Sequence, residues 1–305
     1  MSREASFGQR AEYALFRAVV GGGLLLRPGA AGRVAGGAGR FGYRVLRIRR
    51  HVVDSNLRLA FPDRDAAWIR RTAAASYAHL ARETLATLWY SRAGIAALRR
   101  DSNVEGLEAF RDALDAGRGA ILLAGHLGNW ELGTALVAGN GFPVDAVVRR
   151  QRNPLFDRAI NNSRTGFGMR IIDRTDSTRA ILAALRENRV VALIADQDAR
   201  DSGFFVPFFG RPASSPRGPA VLALRTGAPL ILMVPLRRPD GRLHVRFRRI
   251  DAARDGGPGS DAYAVTARFA RELEAAVREA PEQYLWHHRR WKTRPPEEPA
   301  SRRPV

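Results

Sequence analysis

The stretch Ile121 to Gly133, ILLAGHLGNWELG, sets a histidine at the end of an apolar run and a carboxylate five residues later. His126 follows Ala120 to Ala124, a continuous apolar segment of buried-strand length, and Gly125 and Gly128 flank it with residues that tolerate tight turns and close approach of a substrate. Asn129 has the character of an N-cap for a helix through Trp130, Glu131 and Leu132, which sets Glu131 in the first turn near the positive end of the helix dipole. From there the spacing predicts that Glu131 reaches back to one imidazole nitrogen and leaves the other free to accept a proton. That is base and orienter chemistry in which a substrate hydroxyl is the nucleophile. Backbone amides around Gly128 and Asn129 are candidate donors to a developing oxyanion. Chance supplies about 0.6 such histidine–carboxylate spacings in a chain of this composition, so the pair needs its context.

The elements that must position these residues follow from hydrophobic periodicity. Strands are predicted over 119–124, 144–149, 169–173, 190–195, 229–235 and 243–249. Helices are predicted over 66–92, 129–139, 154–166, 177–187, 216–226 and 261–279. The alternation predicts an α/β fold with a mostly parallel central sheet flanked by helices, preceded by a basic amphipathic helical N-terminal region. The crevice at the carboxyl ends of the strands would receive both His126 and Asp196.

Three regions are expected: a basic, membrane-associating N-terminal region over 1–60, the α/β domain over 61–295 and a disordered tail over 296–305. Between Tyr13 and Val53 stand eight arginines and no acidic residue, interleaved with Leu, Val, Phe and Tyr. This pattern suits an element lying on an anionic membrane surface, with an ordinary solvated helix pair or a short re-entrant hairpin as alternatives. Only nine uncharged residues separate Arg17 from Arg27, well short of the ~20 that span a bilayer. No signal-peptide pattern is recognisable, and a cytoplasmic-face location is expected.

The chain has 305 residues, no cysteine and a formal charge of +20. Lys292 is its only lysine, so arginine carries nearly all of the positive charge. Disulfides and thiolate metal sites are excluded, and an anionic partner is required: a membrane surface, a phosphorylated substrate, an acidic carrier protein or nucleic acid. No helix-turn-helix, RNA-recognition or zinc-finger signature supports the last of these. Nor is there a G-x-S-x-G nucleophile elbow.

Six ordered blocks extend the argument: GHLGNWE at 125–131, VVRRQRNPLFD at 147–157, Arg164, ADQD at 195–198, FVPFFGRPASSPRGPAVLALRTGAPL at 205–230 and PEQYLWHHRRWKTRP at 281–295. Over nearly its whole length the chain resembles the bacterial lipid A biosynthesis acyltransferases, the late lauroyl and myristoyl transferases. The resemblance implies that His126 is a general base with Glu131 as its partner, and that Arg164 and Asp196 belong to the active site. It also implies acyl-acyl carrier protein as donor and a phosphorylated lipid A precursor as acceptor, on the cytoplasmic face of the inner membrane, with no covalent acyl-enzyme, no cofactor and no metal. Asp196 and Asp198 by themselves suggest a Mg²⁺ site. With no metal implied, Asp196 is expected to act structurally or electrostatically, for example by holding an arginine. Arg149, with Arg150 and Arg152 beside it, is expected to meet phosphate or a carrier protein. The cluster from His287 to Trp291 is expected to seat at a membrane interface or to help close the site. Phosphatidylinositol mannoside acyltransferases resemble the chain nearly as well in the central blocks. They differ in the acceptor.

Overall fold

In the computed structural model, residues 5–24, 28–175, 177–250 and 262–296 are described. Arg27 and residues 297–305, nearly all of the tail expected to be disordered, lie outside them.

Among the described residues, three helices, α1 (Phe7–Leu24), α2 (Pro28–Arg44) and α3 (Arg50–Ala60), lead into the long α4 (Ala66–Ala93) and the short α5 (Ile95–Arg100). Asp65 caps α4 by accepting the Trp68 N–H at 2.6 Å, and Gly94, at φ 85°, ends it. Then come β1 (Ser102–Glu105), α6 (Glu108–Asp115), β2 (Ala120–Ala124), α7 (Trp130–Gly139), β3 (Val144–Val148) and α8 (Pro154–Gly166). They are followed by β4 (Arg170–Asp173), α9 (Ser177–Arg186), β5 (Val190–Ile194) and a hairpin of β6 (Phe204–Phe208) and β7 (Arg211–Ser215). The chain continues through α10 (Gly218–Thr226), β8 (Leu230–Arg237), β9 (Leu243–Ile250) and α11 (Ala262–Glu279).

Seven strands form one sheet in the order β1-β9-β8-β2-β5-β3-β4. The run from β8 to β4 is parallel, and β9 returns antiparallel to β8 with β1 parallel to β9. The α/β expectation therefore holds, as do the six strands and six helices predicted from periodicity, to within a few residues at their ends.

Both faces of the sheet are covered, which is why β2 reads as an unbroken apolar run rather than an alternating one. Ile121 and Leu123 face a core built with Leu57, Ile69, Tyr77, Leu273 and Trp286. Leu122 and Ala124 face the opposite core, with Phe110, Leu132 and Leu136.

The first core also takes in Tyr43, Val53, Leu57 and Ala60, so residues 43–60 are part of the folded body rather than a peripheral appendage. The approach of α2 to α4 depends on small residues. A Cβ on Gly39 would stand 2.3 Å from the Tyr77 carbonyl oxygen, a position only glycine allows. The outer side of the same segment carries Val34, Phe41, Val45, Leu46 and Ile48, all more than half exposed, among exposed Arg33, Arg40 and Arg44. No helix among the described residues is long and apolar enough to cross a membrane.

Candidate active site

Register brings the site together. In the parallel pair β2/β5, Ala124 lies opposite Ile194, and two residues further along each chain stand His126 and Asp196. The Asp196 carboxylate grips the histidine twice: Oδ2 accepts the His126 backbone N–H at 2.7 Å, and Oδ1 accepts from Nδ1 at 2.6 Å. Nε2 is left facing the crevice, 3.4 Å from the Gln197 side-chain nitrogen. The Trp130 ring meets the imidazole edge to face at 4.9 Å.

This arrangement replaces the contact expected from spacing. Glu131 is not the hydrogen-bond partner of His126. It receives the Arg164 guanidinium on both oxygens, Nε to Oε2 at 2.9 Å and Nη2 to Oε1 at 2.5 Å, while Nη1 of Arg164 donates to Asn161. A planar guanidinium matches a carboxylate bidentately, so both Glu131 oxygens are satisfied there. Asp196, expected to hold an arginine, holds His126 by hydrogen bonds, and the nearby Arg290 acts on its carboxylate through charge.

Electrostatics make the His126–Asp196 pair suited to proton transfer. Burial would raise the Asp196 carboxyl, but the charge and hydrogen bonds of His126 and the charge of Arg290 hold it down to about 2. Burial works against a charged His126; the Asp196 charge and hydrogen bond, with a smaller contribution from Glu131, outweigh it and raise the imidazole above its ordinary range. Asp196 is 3% exposed, and Tyr284 and Arg290, themselves buried, complete its surroundings.

The backbone donors proposed for an oxyanion are already engaged. The Gly128 N–H donates to the Gln283 carbonyl at 2.9 Å and the Asn129 N–H to the Pro235 carbonyl at 3.1 Å. The Asn129 side chain caps α7 by accepting the Leu132 N–H. The first two amides of α7, those of Trp130 and Glu131, belong to the set with no partner inside the helix, and they sit at its positive end beside the imidazole.

Against this group lies a cavity of about 300 Å³. Its wall is mostly apolar, including Leu80, Leu88, Ile160 and Leu285, and it reaches Trp130 and Glu131 at the site. Phe16 of α1 and Phe156 of α8, their ring centroids 4.8 Å apart, pack on each other in its lining. A base packed on Trp130, a ring that also lines this apolar cavity, fits a reaction at the polar head of a chain-like substrate.

The model of the family described as bacterial lipid A biosynthesis acyltransferase matches residues 11–293. The chain belongs to that family. It is 32% identical over 270 residues to the lipid A biosynthesis lauroyltransferase of Escherichia coli (strain K12), covering 86% of this chain and 85% of that protein. To the palmitoleoyltransferase of the same organism it is 30% identical over 257 residues, 82% of this chain and 81% of the relative. A phosphatidylinositol mannoside acyltransferase of Mycolicibacterium smegmatis is 33% identical over 166 residues, 52% of this chain and 53% of its own.

Other residues of this acyltransferase stand partly apart from their expected places. Arg149 is exposed past the end of β3, outside the cavity lining, while Arg150 pairs with Asp173. The Asp198 backbone N–H donates to His288 Nε2 at 2.8 Å, and its side chain accepts from Thr293. His287 turns the other way, against the Tyr77 ring at 4.3 Å. Arg290 and Trp291 are buried and His287 and His288 partly so, with Arg289 alone exposed, so most of the 287–291 cluster packs inward rather than forming a membrane-seated surface. Gln197, Tyr284 and Arg290 surround the dyad without having been singled out for it. The ADQD and PEQYLWHHRRW blocks contained them, but nothing in linear spacing showed that the blocks meet.

Proposed function

We propose that the protein moves a fatty acyl chain from acyl-acyl carrier protein to a hydroxyl of a phosphorylated lipid A precursor. The observation that carries the proposal is His126 held by Asp196 and packed on Trp130, which lines an apolar cavity, in a chain of this family. Nε2 takes the proton of the acceptor hydroxyl as its oxygen forms a bond to the thioester carbonyl. The tetrahedral species collapses with loss of thiolate, which takes the proton back from the imidazolium. Asp196 fixes the tautomer and stabilises the imidazolium, as the orienting member of a catalytic triad does. Developing negative charge on the carbonyl oxygen meets the first-turn amides of α7, at Trp130 and Glu131, and the Arg164 cation. Glu131 acts through Arg164 and through its field on the imidazole. No acyl-enzyme and no cofactor enter this scheme.

Steady-state kinetics with acyl groups matched between carrier protein and coenzyme A, over a salt series, test the donor. A carrier-specific advantage that fades as the Debye length falls from ~10 Å at 0.1 M to ~3 Å at 1 M salt is expected. Arg149→Glu and Arg152→Glu should raise KM for the carrier with kcat little changed. Equal efficiency of both donors at every salt concentration removes the carrier from the proposal. The mannoside relatives favour one second reading, a phosphatidylinositol mannoside acceptor, and product analysis with both acceptor lipids separates the two.

The exposed apolar side chains of α1, α2 and the turn after α2 support a peripheral seat on the cytoplasmic face of the inner membrane. Leu15, Phe41, Leu46 and Ile48 project there among arginines, each of which contributes on the order of 1 kcal/mol near an anionic surface. Replacing Phe41, Val45, Leu46 and Ile48 by serine should weaken partition into phosphatidylglycerol vesicles in sedimentation assays without loss of fold. Unchanged partition assigns the seat to another surface.

A further inference from the structure

In the wall of the same cavity, at Glu83, lies a buried ion pair that the chemistry above does not use. Glu83, on α4 and 7% exposed, receives Arg237 from the end of β8 on both oxygens, Nε to Oε1 at 2.9 Å and Nη2 to Oε2 at 2.7 Å. Burial alone would raise the Glu83 carboxyl, but the hydrogen bond and charge of Arg237 hold it below its ordinary range, so it is ionised. Oε2 accepts one more bond, from Asn129 Nδ2 at 2.8 Å. The other end of that amide, Oδ1, is the cap of α7 on Leu132 N at 2.9 Å. Gln283 ties the remaining strands of the network: its amide spans the Arg237 backbone, accepting from N and donating to O, while its carbonyl accepts the Gly128 N–H.

A buried ion pair is poor evidence of a stability device, because desolvation consumes most of its attraction and apolar residues of similar volume often serve as well. Its character here is directional. An ionised carboxylate only accepts, and with weaker support from the Glu83 carbonyl at 3.3 Å and Thr87 Oγ1 at 3.1 Å it turns the Asn129 NH₂ toward α4 and its oxygen toward the first turn of α7. That fixes the N-terminus of α7, on which Trp130 packs against His126 and Glu131 holds Arg164.

We propose that Glu83, paired with Arg237, is a positioning residue for acyl transfer, acting through the Asn129 amide on the N-terminus of α7. The inference rests on His126 being the base.

The test uses the full-length protein and the acyl-carrier assay. In Glu83→Leu/Arg237→Met the pair is removed whole. Its thermal midpoint stays near that of the parent while kcat falls about 10-fold to 100-fold, the scale of a small misplacement of reacting groups, with KM little changed. A folded double variant with parental kcat overturns the proposal. A second series does not depend on that variant folding. Asn129→Asp sets two carboxylates together and should lose kcat. Adding Glu83→Gln supplies a donor to the new carboxylate and should restore at least part of it. No restoration overturns the proposal equally. Loss of turnover in His126→Ala with parental kcat in the Glu83→Leu/Arg237→Met protein discards the positioning role alone. Retained turnover in His126→Ala discards the underlying reading.

Discussion

Replacing His126 by alanine will remove acyl transfer to the level of the uncatalysed reaction or near it, while the protein folds and melts almost as the parent does. The imidazole stands at a crevice and contributes little apolar burial, whereas general-base catalysis is worth about 10² to 10⁴ in rate. Asp196→Asn should come close in severity. An asparagine at that position offers Nδ1 a neutral partner that can also donate, so the imidazole loses both its fixed tautomer and the countercharge for its protonated form. The two variants differ in their pH profiles. In the parent, the base must be neutral, so activity falls as pH drops through the raised His126 pKa. In Asp196→Asn the raising interactions are gone and burial remains, so what activity survives should persist to lower pH. Turnover against pH for the three proteins, with circular dichroism as the check on folding, decides the matter. Parental turnover in His126→Ala, or an acid limb that moves upward in Asp196→Asn, contradicts the assignment.

Gly128→Ala should be nearly as damaging by a purely steric route. Gly128 has φ 58°, and a Cβ there would lie 1.7 Å from the Pro235 carbonyl oxygen, the atom that accepts the Asn129 N–H. Since that carbonyl belongs to β8 in the middle of the sheet, the loop must give way, and it carries Asn129 and the start of α7 with it. The backbone strain alone costs about 1–3 kcal/mol, and displacement of the site should take about 10² or more from kcat. Gly141→Ala is the control: its φ is 91°, and nothing lies within 4 Å of the added Cβ. It should lose a comparable amount of stability to strain and keep its kcat. Equal kcat losses in the two variants, or none in Gly128→Ala, would mean that the loop is not held as described.

The framework was legible in the sequence where a single chain segment decides the outcome. Continuous apolar runs such as Val190 to Ile194 must be interior strands, and Asn129 and Asn153 each cap the helix that their neighbours predict. The β6/β7 hairpin was concealed by its prolines, which argue against a strand. It tolerates Pro207 and Pro212 because they face one another in a two-stranded ribbon. Glu131 drew attention by lying five residues from His126, yet the true hydrogen-bond partner is 70 residues away. Which strands become neighbours is settled by packing of the whole sheet, and no local pattern expresses it. The same holds for Glu83 and Arg237, 154 residues apart, each unremarkable alone in so arginine-rich a chain.

The double grip of Asp196 on His126 has a consequence for the order of events in turnover. With its main-chain amide and its ring tied to one carboxylate, the imidazole has no freedom to swing between two stations. The proton it accepts has to be surrendered at the same nitrogen, Nε2, and to a group already within reach of it. Hydroxyl and thioester must therefore share the crevice before any bond changes. Double-reciprocal plots for donor and acceptor should accordingly intersect rather than run parallel, with neither product leaving until both substrates have met.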